Sequence, residues 1–184
     1  MDEYVDILDP KGVATGKQIL KSEAHKKGVF HPTVHIWFYT ADGLVLVQQR
    51  AKNKDTFPLH WDVSVAGHIA AGEPIVDAAI REVHEEIGVT ITANELQNVG
   101  VFKSEQRPKA YWFDNEFHNT FVCLLTVPKS KLIKQDSEVA DLKMISIHDL
   151  ETEVLKYHGT HSYVPHDEGY YSAVINKLKQ VIEG

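Results

Sequence analysis

Three glutamates on one predicted helix are the side chains of this sequence best suited to chemistry. Pro74 can occupy the first position of that helix, where a missing N–H costs nothing, and Gly88 can end it. Glu82, Glu85 and Glu86 are spaced at i, i+3 and i+4, so they share one face. Their repulsion, about 0.2–0.5 kcal/mol for each pair, would become attraction around a divalent cation. Mg²⁺ prefers such oxygen ligands, combined with water and substrate phosphates.

A simpler interpretation of the same residues is a solvated helix face. Asp77 with Arg81, and Arg81 with Glu85, have the i, i+4 spacing of ordinary surface ion pairs. Taken alone, the short motif Arg-Glu-x-x-Glu-Glu favours this interpretation. The residues on either side of the motif therefore decide between a surface helix and a metal site.

The longer stretch 67–89 carries a fixed pattern around the three glutamates. Its nine constrained positions are Gly67, Glu73, Arg81, Glu82, the apolar Val83, Glu85, Glu86, Gly88 and the apolar Val89. This pattern resembles the Nudix box at every defined position, with no departure. The resemblance to the Nudix superfamily covers most of the chain, although only the box is highly specific.

The resemblance implies an activity and a metal site. Nudix proteins mostly hydrolyse a diphosphate linked to another group, by attack of water on phosphorus with help from Mg²⁺ or Mn²⁺. Such a metal neutralises phosphate charge and lowers the pKa of its bound water. The implied metal ligands are the Gly67 carbonyl group and the carboxylates of Glu82, Glu85 and Glu86, directly or through water. Glu73 and Arg81 are implied as an ion pair that orients the glutamates.

A second resemblance involves histidines outside the box. The sequence is similar to the type I isopentenyl-diphosphate isomerases, a branch of the same superfamily that holds a metal with three histidines and two acidic residues. The matching residues here are His25, His31, His68, Asp114 and Glu116. The resemblance thus implies a second metal site. Without it, His25 and His31 have no metal-ligand spacing of their own and would be interpreted as surface or capping residues.

One departure from the isomerases favours hydrolysis. They use a catalytic cysteine immediately before the glycine–histidine pair, and Ala66 occupies that position here. Its methyl group cannot transfer a proton to or from carbon. The isomerases also tend to have a degraded box, whereas this box is complete. The leading hypothesis is a metal-dependent hydrolase that cleaves the diphosphate bond of a small nucleoside-diphosphate-linked or other diphosphate compound; the alternative is an isopentenyl-diphosphate delta-isomerase.

A third hypothesis is a non-catalytic Nudix module that binds a nucleotide as a sensor. Such proteins usually have a degraded box or an added DNA-binding domain, and we expect neither in this chain. The hydrolase hypothesis leaves the general base unassigned, because clustered carboxylates titrate as a group.

Several residues elsewhere could also belong to the site. Glu116 could be a metal ligand or base facing the box, or a turn residue after Asp114; we favour the first, and Glu138 is a weaker candidate of the same kind. The loop 50–58 could contact phosphates through Arg50 and its lysines, or could simply be solvated. Trp112 and the segment 163–165 could close over a substrate or belong to the core.

The remaining histidines carry less information. His35 is expected to pack within its strand. The sequence assigns no role to His118, His158, His161 or His166.

Composition excludes several classes of partner. The chain has 184 residues, 43% hydrophobic and 24% charged, with a formal net charge of −7. This charge argues against nonspecific binding to nucleic acid or anionic membranes, but not against a small phosphorylated substrate neutralised by a metal. Cys123 is the single cysteine, which predicts no intrachain disulfide and suits a reducing compartment. Without a visible signal peptide or spanning segment, we expect a cytoplasmic enzyme, and the family resemblance allows a homodimer.

The pattern of elements predicts the fold. Strands are predicted over 4–8, 13–16, 31–39, 44–49, 61–66, 96–104, 109–113, 118–127 and 141–147, and helices over 22–27, 74–87, 148–157 and 171–182. Strands with helices on both sides predict an α+β chain: a three-layer α/β/α sandwich with a mixed β-sheet. The Nudix fold implied by the resemblance has that arrangement. We expect a single domain over 1–184.

Overall fold

The computed structural model describes residues 2–156 and 162–183. Its strands are β1 (Tyr4–Leu8), β2 (Ala14–Leu20), β3 (His31–Tyr39), β4 (Leu44–Arg50), β5 (Trp61–Asp62), β6 (Val65–His68), β7 (Gln97–Lys109), β8 (Trp112–Leu124) and β9 (Val139–Ser146). Its α-helices are α1 (Lys21–Lys27), α2 (Ile75–Ile87), α3 (Ile147–Glu151) and α4 (Glu168–Glu183). Among the helices of these two ranges, none is long and apolar enough to cross a membrane.

A seven-stranded mixed sheet supports the site. Its main path is β5–β4–β3–β8–β7, with β6 paired to the first part of β3 and β9 paired to β4. β3 and β8 are parallel, whereas the other neighbouring strands are antiparallel. β1 and β2 form a separate antiparallel hairpin.

The alternation of side chains along β3 divides the core into two layers. Val34 belongs to the apolar cluster that includes Val83 of α2. Trp37, on the opposite face of the sheet, belongs to a second cluster with Leu150 of α3 and Val174 of α4. The sheet therefore lies between two helical layers, and the predicted α/β/α sandwich with a mixed sheet is confirmed.

The box helix ends where the sequence predicts and begins one residue later. Gly88 has a left-handed φ of 69°, which favours glycine, and its N–H donates to the carbonyl group of His84. Pro74 has an extended ψ of 138° and therefore precedes the helix, which starts at Ile75. The predicted start at Pro74 is thus wrong by one residue.

The predicted division between the strands 96–104, 109–113 and 118–127 is wrong. β7 continues to Lys109, with a register shift between Gln106 and Lys109. Pro108 lies in this irregular part, where its missing N–H does no harm at the edge of a sheet. β8 already begins at Trp112, so Glu116 lies within a strand, and its interpretation as a turn residue is wrong.

Other predicted boundaries differ from the observed ones, because tertiary pairing determines where strands and helices end more than local sequence does. The predicted strand 61–66 is split into β5 and β6, and the strand predicted over 13–16 extends to Leu20. The helix predicted over 148–157 is α3 followed by a π-helical turn at Thr152–Lys156, and Tyr157 lies outside the described residues. α4 begins earlier than predicted, at Glu168.

The two-layer core predicts unequal costs for two leucine truncations. Leu46 is fully buried in β4, whereas Leu124 at the end of β8 is 40% exposed. Leu46→Ala should lower the free energy of unfolding by about 2–5 kcal/mol, because it leaves a cavity, and Leu124→Ala should cost about 1 kcal/mol or less. Urea unfolding measures both. Equal losses for the two variants would contradict the described packing.

Candidate active site

Strand β6 and helix α2 approach each other closely at Gly67. Gly67 lies opposite Val34 of β3, and a Cβ atom built on it would lie 2.0 Å from Cδ of Glu82. No Cβ atom can occupy that position, so the glycine allows the Glu82 carboxylate to lie against the strand. This close approach explains in structural terms why the box has a glycine at position 67.

The Arg81 guanidinium holds the surrounding carboxylates in place. Its Nε and Nη2 atoms donate to Glu73 at 2.8 Å each. Its Nη1 atom donates to Glu82 at 2.7 Å and to Glu85 at 3.2 Å. Nη2 also donates to the carbonyl group of His68 at 3.0 Å. The implied ion pair between Glu73 and Arg81 is therefore present, and it ties the loop before α2 to the helix and to β6.

Glu86 is the most deeply buried of the three helix glutamates, with only 4% of its surface exposed. Its Oε2 atom accepts hydrogen bonds from Gln48 Nε2 at 3.2 Å and from the Ala66 N–H at 3.3 Å. Burial and the negative charge of Glu82 raise the pKa of Glu86 to about 8. Burial also raises the pKa of Glu82. A bound cation would favour the ionised form of both carboxylates.

These carboxylates line a cavity of about 680 Å³. This volume suits a small-molecule ligand. Glu82, Glu85 and Glu86 lie on its wall together with Glu116 of β8. The cavity therefore brings the box glutamates and an acid from a later strand to the same space.

The loop 50–58 forms another part of the cavity wall, and two of its basic side chains, Arg50 and Lys54, have acidic partners. Arg50 Nη1 donates to Asp62 at 3.1 Å, and Arg50 Nη2 donates to Thr56 Oγ1 at 3.1 Å. Lys54 forms an ion pair with Glu138. All five residues line the cavity. The loop is therefore held in place by these pairs rather than solvated throughout.

A cluster of three histidines and Glu116 lies beside the glutamates. The possible ligand atoms of His25, His31, His68 and Glu116 all lie within 4.8 Å of one another. The Nε2 atoms of His31 and His68 are each 3.5 Å from Glu116 Oε1, and both are buried without a hydrogen-bond partner among the described residues. Burial lowers the pKa of His68 to about 4, so its imidazole is neutral, as a metal ligand requires.

Two backbone carbonyl groups orient the outer histidines of this cluster. His31 Nδ1 donates to the Val29 carbonyl group at 3.0 Å, and His25 Nδ1 lies 3.1 Å from the Phe113 carbonyl oxygen. Metal-binding histidines usually donate their second N–H in this way. Asp114 lies 3.0 Å from His25 Nδ1 and is not part of the tight group, so its geometry is that of a residue that orients His25.

Three further histidines that sequence reasoning left without a chemical role form the inner wall of the same cavity. These are His35, His118 and His166, and Asp62 lies beside them on the wall. His166 Nε2 is 2.9 Å from Asp62 Oδ1. The spacing of Glu116 and His118 could have identified His118 from the sequence. The two residues are two positions apart on β8, and such residues share one face of a strand.

The remaining candidates separate into lining and core residues. Trp112 stacks on His25, with ring centroids 4.8 Å apart, and lines the cavity. Within the segment 163–165, Val164 lines the cavity, whereas Tyr163 is buried in the α4-side core cluster. His35 is buried in β3, as expected. His158 and His161 lie outside the described residues.

The fold is that of a NUDIX domain. The NUDIX domain family model matches residues 29–165. That match covers most of the chain, so the chain belongs to the Nudix hydrolase family.

Curated relatives carry both hydrolase and isomerase names. An uncharacterised Nudix hydrolase of Clostridium acetobutylicum is 32% identical, with 96% of this chain and 97% of the relative covered. An isopentenyl-diphosphate delta-isomerase of Escherichia coli is 35% identical over 76% of this chain and 74% of the relative. Nudix hydrolase 3 of Arabidopsis thaliana is 30% identical over 97% of this chain, which spans only 24% of that longer protein.

Solved structures support the same fold at low sequence identity. A Deinococcus radiodurans protein superimposes with a TM-score of 0.70 at 17% identity, covering 96% of this chain and 99% of that one. The NUDIX domain of Shewanella oneidensis NrtR, in complex with ADP ribose, gives a TM-score of 0.58 at 16% identity, covering 80% and 87%.

The burial of Glu86 predicts a pH dependence of stability in the absence of metal. The folded pKa of about 8 lies above the ordinary glutamate value of about 4.3. The folded state therefore retains a proton that the unfolded state loses, and the free energy of unfolding falls as pH rises between these values. In EDTA, this contribution should be on the order of 1 kcal/mol per pH unit between pH 5 and 8, and Glu86→Gln should remove it.

Urea unfolding of wild type and Glu86→Gln at pH 5, 6, 7 and 8 measures this difference. Other groups titrate in the same range, so the variant is needed to isolate Glu86. Glu85→Gln is the matched control, since Glu85 is exposed on the same helix. If Glu86→Gln followed the wild-type pH profile, the assignment of a costly buried charge would be wrong.

Proposed function

We propose that this chain hydrolyses the diphosphate bond of a small diphosphate compound with the help of Mg²⁺ or Mn²⁺. The observation that carries the proposal is the set of Arg81-linked carboxylates on the wall of a cavity of about 680 Å³. Hydrolase names among the relatives of nearly full coverage support it. We include in the proposal that 1–184 form one Nudix domain.

A divalent cation fits the donor set. Glu82 and Glu86 are carboxylates whose burial raises their pKa values, and hard cations prefer carboxylate and carbonyl oxygens. In the proposal, the ligands are the carboxylates of Glu82, Glu85 and Glu86 and the carbonyl group of Gly67. When bound, the cation would supply positive charge to the phosphate oxygens and lower the pKa of a bound water.

The protein's own groups then have distinct tasks. Arg81 holds Glu82 and Glu85 at fixed positions through its hydrogen bonds. Glu86 would be ionised beside a bound cation, and in that form it can take up a proton from the attacking water. Although burial acts to raise the pKa of Glu116, His31 and His68 hold it well below its usual range, so Glu116 is suited to be a ligand rather than a base.

The substrate class follows from charge and from one structural relative. Arg50 and Lys54 line the cavity, so we assign them contacts to substrate phosphates. The Shewanella oneidensis domain is in complex with ADP ribose. Nucleoside-diphosphate-linked compounds are therefore the first class to test.

Loss of a buried glutamate should abolish hydrolysis without unfolding the protein. Glu86→Gln and Glu82→Gln should each lower kcat/KM by at least about 100-fold, since even residues that only orient metal ligands account for 10- to 100-fold. Phosphate release with Mg²⁺ or Mn²⁺ should be measured on ADP-ribose, nucleotide sugars, dinucleotide polyphosphates and isopentenyl diphosphate, with and without EDTA.

The matched control is Glu183→Gln, at an exposed position at the end of α4. It should retain wild-type rates. Full activity of Glu86→Gln, or activity that survives EDTA, would show that the assigned site does not carry the reaction.

The histidine cluster should bind a second cation. We propose His25, His31, His68 and Glu116 as its ligands, because the buried Nε2 atoms of His31 and His68 otherwise lack partners. His31→Asn and His68→Asn should each remove one class of Mn²⁺ site, or weaken it at least about tenfold, in calorimetric titrations. His148→Asn, on the exposed side of α3, is the control. Unchanged Mn²⁺ stoichiometry and affinity in both cluster variants would refute the second site.

The same cluster supports a second candidate function, isomerisation of isopentenyl diphosphate, together with the Escherichia coli relative. Ala66 argues against it. Cross-strand pairing places Ala66 opposite His35, with its methyl group on the cavity side, and a methyl group cannot donate or accept the required proton. Appearance of dimethylallyl diphosphate from isopentenyl diphosphate would favour this function over hydrolysis.

A further inference from the structure

His35, His118 and His166 form a polar surface that the proposed hydrolysis leaves unexplained. We call these three residues the imidazole wall. The rings of His35 and His118 stack with centroids 4.0 Å apart, and the His166 ring lies edge-on to them at 5.3 and 5.6 Å. All three line the cavity that the box glutamates also line. The wall therefore faces the space that a bound diphosphate compound would share.

Strand register places the wall on one face of the sheet. His118 of β8 is paired with Thr33 of β3, and His35 follows Thr33 by two residues on the same face. Further along β3 the same face carries Trp37, which is in the apolar core with α4. The face thus changes from apolar to polar where it reaches the cavity, and buried polar side chains need partners there.

Hydrogen bonds fix the orientation of His35. Trp37 Nε1 donates to the Tyr170 hydroxyl oxygen at 2.9 Å, and the same hydroxyl lies 2.8 Å from His35 Nδ1. If the hydroxyl donates to Nδ1, none of these three buried groups is left without a partner. His35 Nε2 then carries its proton. Burial also lowers the pKa of His35 well below its usual value, so the ring is neutral.

His166 is fixed in a different way, by a buried acid. Its Nε2 atom lies 2.9 Å from Asp62 Oδ1, while Asp62 Oδ2 accepts a hydrogen bond from Arg50 at 3.1 Å. Asp62 is itself only 2% exposed. The imidazole wall is therefore a preorganised surface, held in place by hydrogen bonds to Tyr170 and Asp62.

His118 has hydrogen-bonding capacity that the protein does not use. Its Nδ1 atom lies 2.8 Å from Thr33 Oγ1. Its Nε2 atom is buried and has no hydrogen-bond partner among the described residues. An unsatisfied buried polar atom is unfavourable, and the residue is only 4% exposed. A ligand that supplies a hydrogen-bonding group beside the wall would remove this penalty.

We propose that the imidazole wall binds a hydroxyl-bearing, sugar-like group of the substrate, while the glutamates hold its diphosphate. This inference rests on the proposed function for the position of the diphosphate. With Nδ1 of His35 and Nδ1 of His118 engaged by Tyr170 and Thr33, the Nε2 atom of each ring remains to make one hydrogen bond, and a hydroxyl group can both donate and accept. An isoprenyl group has no polar atom to offer, so it would leave His118 unsatisfied. The wall thus selects the organic group of the substrate rather than its phosphates.

Equilibrium binding tests the proposal without depending on turnover. Titration calorimetry of the Glu86→Gln protein with Mg²⁺ should compare UDP-glucose, ADP-ribose and isopentenyl diphosphate. At least one of the two sugar compounds should bind at least about tenfold more tightly than isopentenyl diphosphate, the equivalent of one to two hydrogen bonds. Equal or tighter binding of isopentenyl diphosphate would overturn the proposal, and this comparison needs no change in the wall.

Variants of the imidazole wall then test whether its side chains cause the preference for sugar compounds over isopentenyl diphosphate. In the same background, His118→Phe and His35→Phe should each weaken the preferred sugar compound about 3- to 10-fold and leave isopentenyl diphosphate unchanged or more tightly bound. His148→Phe, at an exposed position, should change neither. Equal weakening of both ligand types would show that the wall is only structural.

Hydrolysis by the wild-type protein separates this inference from the proposed function. Selective binding of a sugar compound without hydrolysis would contradict the hydrolase and support the wall. Hydrolysis of sugar and isoprenyl diphosphates at equal kcat/KM would support the hydrolase and contradict the role of the imidazole wall.

Discussion

The rest of the site depends on the hydrogen bonds that the Arg81 guanidinium donates. It donates to Glu73, Glu82 and Glu85 and to the carbonyl group of His68. Like charges at i, i+3 and i+4 repel one another on an isolated helix. The positive charge of an arginine among them offsets this repulsion and allows them to pack closely. Its hydrogen bond to His68 also joins the helix to strand β6. The position of the box glutamates is therefore tied to the histidine cluster through one side chain.

The two halves of the cavity come from the two faces of strand β3. Val34 points toward α2, where Gly67 permits Glu82 to lie against the sheet. His31 and His35 point the other way, toward the side covered by α4. A diphosphate compound that reaches from the glutamates to the imidazole wall would therefore have to extend from one face of the sheet to the other. This geometry lets one cavity hold a charged group and a neutral polar group in different surroundings.

Local patterns in the sequence predicted the box helix and its glutamates because their spacing is set within one element. The layers of the fold were also predictable, since the order of strands and helices can be read from the sequence and the mostly apolar β3 and β4 are buried on both faces, as central strands are. The histidine cluster needed a family resemblance, because His25, His31 and His68 come from three different elements. His118 was missed for a further reason: its strand was predicted to begin there. Only the pairing of β8 with β3, which is a tertiary contact, shows that Glu116 and His118 share the face of Thr33.

Ala66 connects the reaction to the choice of substrate. It is paired with His35, and its N–H donates to Glu86, so it lies between the imidazole wall and the glutamates. A methyl group at this point adds no acid, base or nucleophile to the cavity. Among the carboxylates around it, Glu86 combines deep burial with a pKa that burial and the charge of Glu82 raise to about 8. The backbone of Ala66 thus helps to hold the proposed base, while its small side chain lines the cavity on the side of His35.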